Sequence, residues 1–327
     1  MPVALSPSKL VFQHDVRISR PEQDRARRNL CLRLKEKGWT ALGIEFLFVD
    51  EKEMAPGPEM RKRLIDWRDF MNANFNPTCF SVHAPWMPID SIFLFGPSPL
   101  VDWLLAFQRL GLDFIDCINV HPGHPTAAFF SRHWNSPALR QKALHAIASS
   151  LASLPGKPNI AIENILPARG GQDYVAFVGC LPSHLAFWVD RVHGLGWTLD
   201  TAHAGITIDA CRTMVANQRL EGGFFEEDWP EIHRVGEKGL GAFLDIPHLG
   251  HVHLANWGES DDAWDGFELD RGKIGLDDYR KVLACAQNTK GGLFGVNLEI
   301  NERDYLNPVA VERSLEWIRQ NAPGPPK

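Results

Sequence analysis

The 327-residue sequence contains no long hydrophobic run and no closely paired cysteines. Its apolar runs stay well short of the ~18–20 residues that a membrane-spanning helix needs. The first residues, MPVALSPSKLVFQHDVR, lack the basic start and the long apolar core of a secretory signal. The six cysteines are scattered without a C-x-x-C pair, which is typical of reduced, packed thiols and not of a disulfide framework or a zinc ribbon. We therefore expect a cytoplasmic protein with no membrane partner.

The sequence also has no excess of basic residues. Lys and Arg number 34 against 40 Asp and Glu, so the formal net charge is −6. This balance disfavours a nucleic-acid partner, although it leaves room for a local basic patch. Hydrophobic residues make up 44% and charged residues 23% of the chain, which is typical of a globular protein with a sizeable core. Disorder, collagen and coiled coil are excluded as descriptions of the whole chain.

Short apolar segments alternate with helix-compatible stretches along the chain. We predict strands over residues 10–13, 42–46, 79–83, 114–121, 159–163, 197–200, 251–254 and 294–299. Amphipathic stretches at residues 21–37, 59–74, 99–110, 137–154, 183–192, 276–286 and 308–319 are predicted to be helices. Eight strand–helix units favour an α/β fold, a single (β/α)8 TIM barrel over residues 1–320. Residues 321–327, rich in Pro and Gly, are predicted to form a mobile tail.

Potential metal ligands stand where the third to eighth predicted strands end. In a parallel barrel these positions converge at the carboxyl-terminal mouth, where active sites of this fold lie. Imidazole nitrogens and carboxylate oxygens are the ligands expected for Zn, Mn, Co or Fe. The residues are His83 in SVHAPW, His121 in INVHPG, Glu163 in IAIEN, Asp200 and His203 in TLDTAH, His253 in HVHLAN and Glu299 in VNLEI. The sequence therefore predicts a metal site at the mouth.

The residues two positions before these ligands are mostly small or polar: Ser81, Asn119, Ala161, Thr198, His251 and Asn297. Because alternate residues of a strand share a face, they are predicted to lie beneath the ligands. We expect His251, Asn119 and Asn297 to hydrogen-bond to the ligands and orient them, and an exchange of roles between His251 and His253 stays open. On the first two strands the equivalent end positions are Gln13 and Glu45, which are candidates for substrate contacts or for structural roles.

The motifs HAPW, NVHPG, LDTAH and HLAN together resemble the xylose isomerase-like TIM-barrel superfamily, which includes sugar isomerases and epimerases and the endonuclease IV-like proteins (AP endonuclease family 2). The endonuclease IV-like pattern implies one metal on His83, His121 and Glu163, with Glu163 bridging to a second metal on Asp200, His253 and Glu299. A third metal in that pattern uses His203 and an Asp-x-His pair. Here the aligned residues are Trp264, Asp265 and Gly266, so the His is missing and Asp265 is a candidate carboxylate substitute.

The isomerase and epimerase branch of the resemblance implies a smaller site, one metal held by Glu163, Asp200, His253 and Glu299. This quartet is complete. Its chemistry needs a divalent ion to polarise a carbonyl or hydroxyl group, and Glu163 and Glu299 are the candidate catalytic pair that moves a proton. With seven potential ligands, between one and three ions per chain are expected.

The expected function is a metal-dependent isomerase or epimerase acting on a small carbohydrate-like substrate: a sugar, a sugar phosphate or a related polyol. The alternative is a phosphodiester hydrolase of the endonuclease IV type, and a multinuclear iron oxidase is less favoured. Trp86, Trp257 and Trp264 follow predicted strands and are candidates to stack on a sugar ring or, alternatively, to pack in the core. The acidic stretch at residues 258–273 suits a lid, or a segment that supplies a further metal ligand.

Overall fold

The computed structural model describes residues 11–17, 21–48, 55–76, 78–85, 99–123, 136–154, 159–167, 178–258, 265–289 and 294–321. Eight strands form a closed barrel in which each strand pairs in parallel with its neighbours in chain order, and β1 pairs with β8. The strands are β1 (Phe12–Arg17), β2 (Gly43–Leu47), β3 (Phe80–His83), β4 (Cys117–Val120), β5 (Asn159–Glu163), β6 (Gly196–Asp200), β7 (Leu249–Leu254) and β8 (Gly295–Leu298). The predicted (β/α)8 barrel is confirmed.

Helices follow the strands and pack on the outside of the barrel. They are α1 (Pro21–Glu36), α2 (Pro58–Asn74), α3 (Pro99–Gln108), α4 (Pro137–Ala152), α5 (Pro182–Arg191), α6 (Thr201–Asn217), α7 (Trp229–Lys238), α8 (Gly241–Leu244), α9 (Leu276–Asn288) and α10 (Ala310–Asn321), with a 3-10 turn at Glu226–Asp228. Ser136 caps α4 as its sequence suggests, since its side chain accepts a hydrogen bond from the Ala138 N–H at 3.2 Å. Among the described helices, none combines the length and the apolar character needed to cross a bilayer.

The connection between β6 and β7 contains three helices that the sequence pattern did not indicate. Helix α6 is buried on several sides, and its buried residues include Thr201, His203, Ile206 and Ile208. A helix that is buried on most of its surface has no single apolar stripe, which is the signal that reveals surface helices. For this reason the pattern missed α6. It also missed α7, which buries only Ile232 and Val235, and α8, which has four residues.

The first strand was also predicted at the wrong bounds. It runs from Phe12 to Arg17, so Gln13 lies near its beginning and not at its end. Gln13 pairs in register with Gly43 and Asn297, which places it one level below Glu45. The short apolar segment that ends at Gln13 is only the start of the strand, because the continuation in HDVR is polar and lacks the expected hydrophobic run. The predicted tail lies outside the described residues apart from Asn321.

Alternation along the strands separates an apolar shell from a polar interior. The outward positions pack against the helices and are fully buried, among them Ile44, Val82, Ile118, Ile162 and Val252. The residues between them are equally buried but polar, and they fill the inside of the barrel. Burial of apolar surface stabilises a folded protein by ~25 cal/mol per Å². The hydrophobic stabilisation of the barrel therefore comes mainly from the apolar shell between the strands and the helices, and not from the polar interior. None of the six cysteines forms a disulfide, as expected.

Asn256 fixes the segment that follows β7. Its side-chain carbonyl accepts hydrogen bonds from the Trp257 and Ile274 N–H groups, both at 2.9 Å, and its amide donates to the Leu269 and Ile274 carbonyls at 3.1 Å. Trp257 is consequently buried, with its indole against Gly205 of α6 and the Lys273 ammonium 4.2 Å from the ring centroid. A side chain at position 205 would occupy the space of this ring.

We predict that Gly205→Ala destabilises the protein by about 1–3 kcal/mol, because its Cβ would lie 2.3 Å from Trp257 Nε1. Urea unfolding followed by tryptophan fluorescence measures this. The matched control is Gly241→Ala in α8, where an added Cβ meets nothing within 4 Å. A gain in stability for Gly205→Ala equal to that of the control would contradict the packing of Trp257 on α6.

Candidate functional site

The strand-end residues meet at the carboxyl-terminal end of the barrel. His83, Glu163 and Asp200 are the last residues of β3, β5 and β6, while His121 and Glu299 directly follow β4 and β8. His253 is the penultimate residue of β7, and His203 lies in the first turn of α6. All seven are largely buried, and Glu299 retains the most exposure, at 29% of its side chain.

Glu163 is the point at which four imidazole rings meet. Its Oε2 lies 3.2 Å from His83 Nε2 and 3.3 Å from His253 Nδ1. Its Oε1 lies 3.4 Å from His203 Nδ1 and 3.5 Å from His121 Nε2. The two carboxylate oxygens therefore face two different pairs of histidines.

The electrostatics of this cluster follow from burial and proximity. Burial acts to raise the pKa of Glu163, but the charges of His253 and His121 outweigh it and hold the pKa well below its ordinary value. Burial alone would lower the pKa of His83, yet contact with Glu163 raises it to about 9. A fully buried carboxylate is thus kept ionised by the imidazoles around it.

Three groups of side chains in the described part of the chain bring potential metal-ligand atoms within 4.8 Å of one another. The first is His83, Glu163, His253 and Glu299, and the second is His121, Glu163 and His203. The third lies deeper in the barrel and consists of Glu45, His251 and His253. Glu163 belongs to both groups at the mouth.

Asp200 lies beside these groups and not within them. Its Oδ1 accepts the His203 backbone N–H at 2.6 Å, which caps the amino terminus of α6. Burial raises its pKa to about 7. In the first group the position that the isomerase-like quartet assigns to Asp200 is taken by His83.

Asp265 reaches the edge of the second group. Its Oδ2 lies 3.6 Å from His203 Nε2. Asn301 holds the backbone there, because its amide donates to the Asp265 carbonyl at 3.2 Å and its N–H donates to the Gly266 carbonyl at 2.8 Å. Gly266 has φ +71°, and a Cβ on it would collide with the Asn301 side chain. The glycine therefore permits the turn that brings Asp265 towards His203.

The layer beneath the ligands is a hydrogen-bonded floor centred on Glu45. Ser81 Oγ donates to Glu45 Oε2 at 2.6 Å, Asn297 Nδ2 donates to Oε1 at 3.0 Å, and Asn119 Nδ2 donates to Oε2. Thr198 Oγ1 donates to Asn119 Oδ1 at 2.7 Å. His251 lies at this level as well, fully buried, with Nε2 3.2 Å from Glu45 Oε2.

Gln13 lies below this floor. Its amide donates to the Ile44 carbonyl at 3.3 Å and to the Cys79 carbonyl at 3.4 Å. A Cβ on Gly295 would approach Gln13 Oε1 to 2.3 Å, so the glycine leaves the room that this amide occupies. Gln13 and Glu45 are both fully buried beneath the mouth.

One of the three candidate tryptophans lies within the described residues. Trp257 is buried against α6, as described above, and Trp86 and Trp264 lie outside the described residues. Of the predicted lid at residues 258–273, residues 259–264 also lie outside them. The remainder is held by Asn256 and by an antiparallel bridge between Asn256 and Phe267.

Asn164 is a site residue that the sequence pattern did not single out. Its side chain accepts from the Asp200 N–H at 2.7 Å and donates to the Asp200 carbonyl at 3.0 Å. Its backbone carbonyl lies 2.9 Å from His203 Nδ1. The only available signal was its place next to Glu163 in IEN, because a residue one position past a strand end has no periodicity to mark it.

Comparison with solved structures identifies the architecture. Endonuclease IV from Thermus thermophilus aligns with a TM-score of 0.56 at 16% identity, over 95% of this chain and 99% of that one. A putative sugar phosphate isomerase/epimerase from Anabaena variabilis aligns with a TM-score of 0.51 at 15% identity, over 94% and 88% of the two chains. These alignments show that the chain shares the barrel fold of both structures.

A third structure, the IolI protein with a bound zinc atom, aligns with a TM-score of 0.50 at 12% identity, over 95% of this chain and 96% of that one. No protein-family model and none of the curated proteins matches the sequence. The fold that the resemblance of the sequence motifs implies is therefore confirmed.

We predict that Asn164→Ala lowers the free energy of unfolding by about 2–4 kcal/mol, because it leaves the Asp200 backbone groups buried without their partners. Chemical denaturation of the metal-free protein measures the loss. Asn217→Ala, an exposed substitution in α6, is the control and should change stability by no more than about 0.5 kcal/mol. Equal stability of the two variants would show that the link between β5 and β6 contributes nothing.

Proposed function

We propose that this protein is a divalent-metal-dependent enzyme whose centre holds two ions, one on each side of the Glu163 carboxylate. The observation that carries this proposal is the division of Glu163 between two ligand groups, Oε2 with His83, His253 and Glu299, and Oε1 with His121 and His203. A carboxylate that bridges two ions places one oxygen on each of them. The arrangement of Glu163 meets that requirement.

Two properties of these ligand groups suit metal ions: the type of their donor atoms, and the lack of hydrogen bonds to three of their carboxylate oxygens from the described residues. Both Glu163 oxygens and Glu299 Oε2 are buried and accept no hydrogen bond from the described residues. A buried ionised carboxylate without hydrogen bonds is costly unless a cation compensates it. Imidazole and carboxylate ligands suit Zn, Mn, Co or Fe, which do not differ enough in preference for these residues to select one.

Contacts with the backbone prepare two of the histidines for such a role. His83 Nδ1 lies 3.0 Å from the Ala84 carbonyl and His203 Nδ1 lies 2.9 Å from the Asn164 carbonyl. A carbonyl only accepts, so the proton of each neutral ring is on Nδ1 and the lone pair is on Nε2. Metal-binding histidines are commonly oriented in this manner. His83 Nε2 then faces Glu163. The ligand atom of His203 is Nε2, which faces Asp265, and not Nδ1, the atom that lies 3.4 Å from Glu163 Oε1.

We further propose that the reaction is isomerisation or epimerisation of a small carbohydrate-like substrate. A bound divalent ion would polarise a carbonyl or hydroxyl group of the substrate. Glu299 is the partly exposed carboxylate at the mouth, so it can reach a substrate and accept or return a proton. Glu163 is fully buried and can exchange a proton only with a group bound directly at the centre.

The charge of the neighbouring sequence supports a small substrate over a nucleic acid. The segment between β7 and α9 contains six acidic and two basic residues. Binding of a phosphate backbone relies on Lys and Arg, and an acidic segment in the connection that follows β7 opposes it. The net charge of −6 acts in the same direction.

A second candidate function, metal-dependent phosphodiester hydrolysis, is favoured by one observation. His121 and His203 form a second ligand group with Glu163, and a single-ion isomerase does not need one. Two ions can together activate water and stabilise a leaving oxygen. The absence of a His beside Asp265 and the acidic charge oppose this candidate.

Metal analysis tests the centre. After reconstitution with Zn²⁺ or Mn²⁺ and removal of excess metal, we expect two equivalents per chain in the wild type. His121→Ala removes a ligand from the second group only and should retain one equivalent. Measurement is by plasma mass spectrometry. Wild-type protein that retains no ion, or a His121→Ala variant that retains as much metal as the wild type, would contradict the two-ion centre.

Activity is tested with the loaded enzyme and a panel of aldoses, ketoses and their phosphates in deuterated water. Proton transfer by Glu299 predicts interconversion with incorporation of solvent deuterium, observed by NMR. Glu299→Gln and Glu163→Gln should each lower the rate by about 10²- to 10⁴-fold while leaving the fold intact. Glu237→Gln, on the exposed face of α7, is the control. Nicking of an abasic DNA duplex without any sugar turnover would favour the hydrolase instead.

A further inference from the structure

Glu45 is a buried carboxylate that the proposed chemistry does not use. It lies on β2, inside the barrel and fully buried, in the floor beneath the mouth. Its oxygens differ from those of Glu163 in their hydrogen bonding. Neutral donors from Ser81, Asn119 and Asn297 already serve both of them. Glu45 therefore does not need a cation for its own compensation.

His253 lies between Glu45 and the mouth. Its Nε2 is 2.8 Å from Glu45 Oε1, while its Nδ1 is 2.7 Å from Glu299 Oε2 and 3.3 Å from Glu163 Oε2. One face of the ring thus meets the floor, and the other meets the first ligand group. The ring is completely buried.

A lone pair on Nε2 cannot face a carboxylate oxygen at 2.8 Å without repulsion, so a proton belongs between His253 and Glu45. A neutral imidazole has one N–H and one lone pair. By the same argument a proton also lies on Nδ1, 2.7 Å from Glu299 Oε2, when no cation is bound. A cation in the first ligand group would replace that proton, so that Nε2 keeps its N–H and the lone pair offered to the cation is the one on Nδ1. That is the atom that the first ligand group needs.

We propose that Glu45 is the positioning residue of the metal centre, holding His253 as the Nε2–H form so that Nδ1 is presented to the ion. The inference rests on the proposed function, because it assumes a metal in the group of His83, Glu163, His253 and Glu299. Carboxylates that accept the second N–H of a ligating histidine commonly change metal affinity by about 10- to 100-fold. Glu45 acts through His253 and does not touch the substrate.

The floor keeps Glu45 in place for this task. Ser81, Asn119 and Asn297 come from β3, β4 and β8, so the carboxylate is held from three strands. His251 approaches Oε2 at 3.2 Å, with its ring nearly perpendicular to that of His253. These contacts hold the Glu45 carboxylate from several sides and place it against Nε2 of His253.

The competing interpretation is that Glu45, His251 and His253 bind an ion themselves, since their potential ligand atoms lie within 4.8 Å of one another. An ion there would compete with the three neutral donors for the Glu45 lone pairs. It would also take the Nε2 lone pair of His253, and the ring would have to lose both protons to serve the mouth as well. The positioning role requires neither change.

Glu45→Gln tests the proposal, with Zn²⁺ affinity measured by competition against a chromophoric chelator and Co²⁺ absorption as a second signal. We expect the wild-type number of ions, about 10- to 100-fold weaker binding of one of them, and an altered Co²⁺ spectrum. The control is Glu302→Gln, another buried carboxylate, which accepts the Ala310 and Val311 N–H groups at the start of α10 and belongs to none of the three ligand groups. It should leave affinity and spectrum unchanged.

The outcomes separate the two proposals. If the wild type binds metal and Glu45→Gln binds it equally well, the positioning role is wrong and the metal centre stands. If Glu45→Gln binds one ion fewer, Glu45 is a ligand and the positioning role is also wrong. If the wild type binds no metal, the proposed function itself fails.

A measurement on the wild type avoids dependence on the folding of the variant. With nitrogen-15-labelled histidine and Zn²⁺ bound, long-range proton–nitrogen NMR reports which ring nitrogen of His253 carries the proton. We expect a protonated Nε2 and a metal-bound Nδ1. The reverse assignment would overturn the proposal.

Discussion

The polar contacts inside this barrel centre on the imidazole ring of His253, which has buried carboxylates on two opposite sides. Glu45 lies at Nε2 of His253, and Glu163, with Glu299, lies at Nδ1. An isolated carboxylate transferred from water into a protein interior carries a penalty of several kcal/mol, so each must be compensated. Glu45 is compensated by hydroxyl and amide donors from neighbouring strands, whereas Glu163 is surrounded only by histidines. This difference separates a hydrogen-bonded floor from the candidate metal centre that we propose above it.

The rest of the fold makes such an interior possible. Because alternate strand residues point outwards, the barrel encloses its polar network within a continuous apolar shell packed against the helices. The polar side chains need space, which Gly295 leaves for Gln13. Asp200 joins the site to the outer layer, since its carboxylate caps α6 while Asn164 binds its backbone. The positions of His203 and Asp265 depend on this arrangement and on the hydrogen bonds of Asn301.

Much of the barrel, and the convergence of its ligands, could be predicted from sequence because parallel strands carry a strong local signal. His83, His121, Glu163, His253 and Glu299 stand at the ends of apolar runs, and topology alone brings such ends together. Helix α6 could not be predicted, because burial on several sides removes its amphipathic pattern. The division of the candidate ligands into two groups around Glu163 could not be predicted from the sequence either. The direction of the Asp200 side chain decides whether it joins the ligand group of Glu163 or caps a helix, and the sequence does not show that direction. The role of Glu45 depends on its contacts with residues of β3, β4, β7 and β8, which are distant in sequence.

The central claim is that the Glu163 carboxylate binds two metal ions, one at each of its oxygens. Anomalous diffraction from crystals of the Zn²⁺-loaded protein, collected on both sides of the zinc absorption edge, measures this most directly. The account predicts two anomalous peaks, one near Glu163 Oε2 among His83, His253 and Glu299, and one near Oε1 between His121 and His203. A single peak beside Glu45, or none at the mouth, would contradict it.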